Sequence, residues 1–155
     1  MAVMRNSPLQ PMLDDPDDYR PGSRWRLLSD PAANPRVEDI AVIVEEMAIG
    51  DRVPLHIHHD VNECIVVLEG RDEVRVGDET SLMEAGDSIF IAKGMHHSQR
   101  NVGDGILKIL AIFPATIIDI EMLERNPAPG TDDDPPQHTM YDLSTGEFWL
   151  RGSRD

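Results

Sequence analysis

The chain has a single cysteine, Cys64, in 155 residues, which excludes an internal disulfide framework. No run of apolar residues approaches the roughly 20 needed to span a bilayer. Basic residues are few: 14 Lys and Arg stand against 29 Asp and Glu, a formal net charge of -15. That balance argues against nucleic acid, whose backbone demands Lys and Arg. It argues equally against an anionic membrane surface, and is first of all a solubility feature. Aromatics make up only 5%. The phenols are Tyr19 and Tyr141, both in terminal segments, so tyrosine chemistry would require a tail folded over the site. The N-terminal segment carries Asp and Pro where a secretory signal needs an apolar core. The expectation is a soluble cytoplasmic protein of one domain.

What is present is concentrated between Gly50 and Asn101. His56 and His58 are two apart, so on a strand both imidazoles share one face. Pro54 marks a strand edge, and the His59-Asp60-Val61-Asn62 run reads as a turn. Glu63 then opens a second strand, Cys64 to Leu68, closed by Gly70. Two adjacent strands therefore aim two imidazoles and a carboxylate at one point, a metal-site constellation. Cys64, next to Glu63, should face away from it. A second stretch runs from Gly86 through Ala92, Lys93 and Gly94 to the pair His96-His97 and on to Asn101.

Together these stretches resemble the two motifs of the cupin superfamily. Gly50, His56, His58, Glu63 and Gly70 meet every position of the first motif. Gly86, Gly94, His97 and Asn101 fit the second. Ala92 stands where the family has proline, a departure that should loosen a turn without touching a ligand. The resemblance implies His56, His58, Glu63 and His97 as ligands of one divalent transition metal inside a small barrel.

The rest of the chain fits an all-β reading. Residues 1–22 form an irregular arm with the acidic run Asp14-Asp15-Pro16-Asp17-Asp18. Residues 23–124 form the barrel domain, a single antiparallel β-barrel or double-stranded β-helix of jelly-roll type. Residues 125–155 form a tail that Phe148 and Trp149 could anchor. Ser23 to Leu28 reads as a first strand and Ser29 to Arg36 as a loop. Ile40 to Ile49 is helix-prone in its Glu45-Glu46-Met47-Ala48 half and β-branched in the other; Gly50 ends it, so a strand is expected. Asp72 to Val76 and Thr80 to Glu84 flank a Gly77-Asp78 hairpin turn. Ile106 to Phe113 is a buried strand, while Ala115 to Leu123 reads as strand extension or short helix. Many short strands with Gly-rich turns indicate a barrel or sandwich.

Three imidazoles and a carboxylate suit Fe(II), Mn(II), Ni(II), Co(II) or Zn(II), with two positions left open in six-coordinate geometry. The family resemblance points first to a non-heme Fe(II)-type dioxygenase acting on a small organic molecule, with Glu63 a ligand that can also serve as catalytic base. The alternatives are a non-redox isomerase, cyclase, lyase or decarboxylase, and a small-molecule-binding or sensing protein without catalysis. Gln99, two beyond His97, can share its inward face. His59 and His96 turn away from their neighbouring ligands, and Arg52, Lys93, Arg100 and Lys108 are the few cations nearby. A homodimer is expected, with the first strand or the arm lying on the partner's sheet, because edge strands present unpaired backbone groups.

Overall fold

In a computed structural model of the chain, residues 3, 5–13, 15–30 and 38–154 are described. Most of the Ser29–Arg36 loop, and Asp14 of the acidic run, lie outside them. Thirteen strands follow one another: β1 (Gln10–Pro11), β2 (Arg24–Leu27), β3 (Ala41–Met47), β4 (Arg52–Ile57), β5 (Glu63–Glu69), β6 (Arg71–Val76), β7 (Glu79–Glu84), β8 (Ser88–Ile91), β9 (His97–Asn101), β10 (Leu107–Phe113), β11 (Ile117–Met122), β12 (His138–Asp142) and β13 (Glu147–Leu150). There is no helix among the described residues, and so none long and apolar enough to cross a membrane.

The strands form two antiparallel sheets, one ordered β1-β2-β3-β10-β5-β8 and the other β13-β12-β11-β4-β9-β6-β7. The fold is the expected jelly roll, although the ladders do not join the two sheets into one closed cylinder. β10 shows why these residues form a strand: Leu107, Ile109, Ala111 and Phe113 are buried while Lys108, Leu110 and Ile112 alternate outward. In β3 the same alternation overrides the helix-prone Glu-Glu-Met run, because β10 and β2 pair with it on both sides. Ile117–Met122 is likewise a strand, held between β4 and β12.

The interior holds two apolar clusters. One gathers Met47, Ile65, Val67, Val74, Met83, Ile91, Leu107 and Ile109. The other gathers Trp25, Ile43, Phe113, Ile118, Tyr141 and Leu143 with smaller neighbours. Two motif residues act as backbone fasteners. Gly70 has φ 89°, and a Cβ there would lie 2.7 Å from the Ile106 carbonyl oxygen, so the position accepts only glycine. Asn101 donates through Nδ2 to the Met47, Ala48 and Gly105 carbonyls and accepts from the Gly103 N–H. It thereby pins the turn before β10. The turn at Ala92 closes without proline: the Met95 N–H reaches the Ala92 carbonyl at 3.2 Å and the Gly94 N–H reaches the His58 carbonyl at 2.7 Å.

Asp72 lies inside with no exposed surface. Its Oδ2 accepts from Gln99 Nε2 at 2.6 Å, and its Oδ1 has no hydrogen-bond partner among the described residues. Burial pushes its pKa up to about 6, against the pull of the Gln99 hydrogen bond. The folded state thus holds this proton more tightly than the unfolded chain. Ionisation therefore costs stability, increasingly as pH rises from about 4 to about 6, by about 3 kcal/mol in full. Asp72→Asn keeps an acceptor for Gln99 and is expected to exceed the parent in stability at pH 7 while matching it at pH 4. Urea midpoints at the two pH values test this, and equal midpoints at pH 7 would contradict it.

Candidate metal centre

The ligand set is assembled from two neighbouring strand pairs. His56 sits on β4 directly opposite His97 on β9, where the β4–β9 ladder shifts register. His58 follows β4, and Glu63 is the first residue of β5. One donor atom from each of His56, His58, Glu63 and His97 lies within 4.8 Å of the others, and all four residues are buried. The rings of His56 and His97 are 4.1 Å apart at their centroids. His97 Nε2 lies 2.9 Å and His58 Nε2 3.3 Å from Glu63 Oε2.

Each imidazole is oriented from behind. Nδ1 of His56 meets the Pro54 carbonyl at 2.7 Å, Nδ1 of His58 the Asp119 carbonyl at 2.5 Å, and Nδ1 of His97 the Met95 carbonyl at 2.9 Å. A carbonyl only accepts, so Nδ1 carries the proton and Nε2 is the ligating nitrogen. Three so oriented nitrogens beside one carboxylate fit a divalent ion.

Electrostatics agree. Burial alone would raise the pKa of Glu63, but hydrogen bonds and charge from His58 and His97 outweigh it and hold the carboxyl well below its usual range. Burial, then the neighbouring His97 and His58, hold His56 well below the ordinary imidazole value. Burial also opposes protonation of His58, but Glu63 wins and raises its pKa. Without an ion the site thus holds one fixed negative charge at Glu63, neutral imidazole at His56, and a proton favoured on His58 that metal binding would have to displace.

Asp119, missed by sequence reasoning, builds the ligand loop. It is fully buried, and its carboxylate accepts from the His59 and Asp60 N–H groups at 2.9 Å each. Burial would raise its pKa, but these backbone bonds lower it. It also gathers His138 at 2.8 Å, so that His59, Asp119 and His138 form a second cluster. The Arg151 guanidinium stands over that cluster, 3.2 Å from Asp119 and 3.0 Å from Asp60, and supplies its positive charge. His59 itself is half exposed and pairs with Glu121.

The ligand set opens into a cavity of about 120 Å³. His56, His58 and Glu63 line it, together with Gln99, Met12, Trp25, Ile43, Phe113 and Ile118. Gln99 is thus on the inward face, as expected from its spacing. The cavity also has polar walls that the sequence reading did not assign: Asp15, Asp18, Arg20, Glu45 and Tyr141. The arm is therefore part of the site. Arg125 holds it to the tail through Asp17 at 2.5 Å and the Pro16 carbonyl, and Asp18 bridges Asn126. Tyr141 reaches the cavity from β12, so a tail does fold over the mouth. Glu45 had a legible signal, since it shares the inward face of β3 with Ile43 and Met47; Arg20 had none. Of the nearby cations, Arg52 is engaged by Glu124, Asn126 and the Arg125 carbonyl. Lys108 pairs with Glu46, and Lys93 and Arg100 are exposed. Cys64 alternates outward from Glu63.

Residues 43–113, which contain the whole ligand set, match the family model of the cupin domain. The chain is similar to quercetin 2,3-dioxygenase of Bacillus subtilis (strain 168), 43% identical over 51 residues, or 33% of this chain and 15% of that protein. It is similar to polyketide synthase CurC of Streptomyces cyaneus, 40% identical over 58 residues, or 37% of this chain and 38% of that protein. Both matches span less than two thirds of the relative's own length. The solved polyketide cyclase RemF from Streptomyces resistomycificus shares the fold, with a TM-score of 0.60 at 21% identity over 81% of this chain and 83% of that one.

Proposed function

Because the chain belongs to the cupin superfamily, with its cupin domain at residues 43–113, we propose that it is a metal-dependent enzyme acting on a small, largely apolar, hydroxylated molecule. The substrate would bind at an ion held by His56, His58, Glu63 and His97. The observation that carries this reading is that the ligand set opens onto a cavity. A structural site is closed on all sides, whereas catalytic sites keep an open position. An engineered apolar cavity of roughly 150 Å³ binds benzene, so about 120 Å³ suits a single ring. The ion, when bound, supplies Lewis-acid polarisation or, if it is iron, a site for dioxygen.

The chain's own residues set the rest. The apolar walls exclude water and strengthen every polar contact inside. Glu63 is the anionic group at the ligand set and accepts the substrate's hydroxyl proton. His58 and His97 hold its carboxylate ionised, and with an ion bound their Nε2 atoms would be ligands beside it. The leading reading is oxidative, a non-heme Fe(II)-type dioxygenase. The 43% identity with a stretch of quercetin 2,3-dioxygenase supports it. A second reading, non-redox ring closure or proton transfer, draws support from the hydrogen-bonded Tyr141 and Asp15 in the cavity wall. With iron-loaded protein and phenolic substrates, oxygen uptake matching substrate loss is expected. Undiminished turnover under anaerobic conditions would displace the dioxygenase reading in favour of the non-redox one. Tight binding with no turnover in either case would make the protein a binding module.

A homodimer is proposed as well. On the first sheet the outward side chains Leu68 and Phe90 are 43% and 67% exposed, a surface that pairing would cover. The arm's β1 lies on β2 of its own chain, which in turn pairs β3, at the opposite edge of the same sheet from β8. Light scattering is expected to give the dimer mass for the full chain and less for a chain beginning at Ser23. An unchanged dimer would remove the arm from the interface.

A further inference from the structure

The cavity wall carries a polar pair contributed by segments that hold no metal ligand. Tyr141, 3% exposed, donates its phenol proton to Asp15 Oδ2. The other oxygen of Asp15 accepts the Asp17 N–H at 2.8 Å. Burial, then the adjacent Asp15, hold the Tyr141 phenol well above its usual range, so it keeps that proton. A hydroxyl has one proton and two lone pairs. With the proton committed, Tyr141 meets a ligand only as an acceptor.

The charges around it point the same way. Arg20 is the cation in the cavity wall, and its single charge is matched by two carboxylates, which take three of its five N–H donors. Nε and Nη2 each bond Asp18 at 2.8 Å, and Nη1 bonds Glu45. Nothing in the wall is left to neutralise a ligand carboxylate, while Asp15, Asp18, Glu45 and Glu63 all oppose one.

Resting on the reading of a substrate held at the ion, we infer that Tyr141, oriented by Asp15, selects a substrate ring that bears a neutral hydrogen-bond donor and rejects a ring that bears a carboxylate. The substrate class is thus an uncharged polyhydroxylated aromatic molecule: one hydroxyl or a vicinal pair goes to the ion and another donates to Tyr141 Oη.

Calorimetry on the full chain loaded with redox-inert Zn(II) tests this with three catechols. They are 4-methylcatechol, 4-(hydroxymethyl)catechol and 3,4-dihydroxybenzoate, which offer the ion the same two hydroxyls. The parent is expected to bind the hydroxymethyl compound up to about 10-fold more tightly than the methyl compound, the worth of one hydrogen bond. It should bind the carboxylate more weakly than either. Tyr141→Phe should bring the hydroxymethyl and methyl compounds together without changing the affinity for the methyl one. In Asp15→Asn the single amide oxygen stays on the Asp17 N–H and the NH2 faces the phenol. The phenol proton is then free for the ligand and binding of the carboxylate should recover, an effect that a merely structural loss would not produce. No selectivity in the parent, or selectivity retained in Tyr141→Phe, would overturn the inference. Should Tyr141→Phe fail to fold, the parent's ranking and the Asp15→Asn reversal still decide it. If none of the three binds better to the zinc form than to metal-free protein, the reading of a metal-held substrate fails and the inference with it. Metal-dependent binding without selectivity overturns the inference alone.

Discussion

Replacing His97 with alanine is expected to strip the protein of its divalent ion while leaving the jelly roll folded. His97 is 1% exposed, pairs across the ladder with His56 and points Nε2 at Glu63. Removing it deletes one donor of four. Changes to groups that merely orient a ligand already cost about 10–100-fold in metal affinity, so loss of a ligand should exceed about 100-fold. The fold survives because the two apolar clusters are built from Ile, Val, Leu and Met on other positions. The remaining cost is that of an ordinary core truncation, about 1–3 kcal/mol. His56→Ala and His58→Ala should behave alike. Cys64→Ser, on the opposite face of β5, should leave metal content intact. Metal analysis after dialysis against a weak chelator, with circular dichroism for the fold, measures both. Full occupancy in His97→Ala would remove it from the ligand set.

The ligand group was legible in the sequence for a physical reason: its members are close along the chain. His56 and His58 need only the two-residue period of a strand to share a face, and Glu63 only a short turn. His97 needs a second strand paired to the first. The β6–β7 hairpin was legible from alternation around Gly77-Asp78, and β10 from an almost wholly apolar run bounded by a Gly-rich turn. Ile117–Met122 could not be decided locally, because its strand form depends on β4 and β12 beside it. The polar wall of the cavity was out of reach for the same reason. Tyr141 and Asp15 are 126 residues apart, in segments whose composition reads as arm and tail, and only the packing of both onto the mouth brings them together. Asp119 lies in the segment whose local pattern leaves strand and helix both open, yet its three hydrogen bonds to the His58–Asp60 loop, one through its carbonyl and two through its carboxylate, decide how a ligand is aimed.

The largest expected loss of stability lies in that polar wall. Arg20 is 4% exposed and bonds both Asp18 and Glu45. Burial raises the pKa of Glu45 even with Arg20 beside it to pull the other way. Arg20→Met leaves Glu45 and Asp18 inside without a counter-charge. Breaking a buried pair by deleting one partner costs about 3–5 kcal/mol, so a loss of that size is expected at pH 7. The sign of the pH dependence follows from Glu45. Without Arg20 its folded-state pKa rises further above the unfolded value, so the folded variant binds more protons. Its deficit against the parent therefore shrinks as pH falls toward the carboxylate range. Arg20→Met/Glu45→Gln, which removes charge from both ends, should be less destabilised than Arg20→Met alone, the mark of coupled partners. Glu45→Gln alone leaves Asp18 on the guanidinium and releases positive charge toward the cavity. It should raise the affinity of the zinc-loaded protein for 3,4-dihydroxybenzoate. Urea unfolding at pH 7 and pH 5 measures the stability terms. An Arg20→Met protein as stable as the parent at pH 7 would show that the two carboxylates do not depend on Arg20. The cavity wall would then not be the closed charge unit that shuts out a substrate carboxylate.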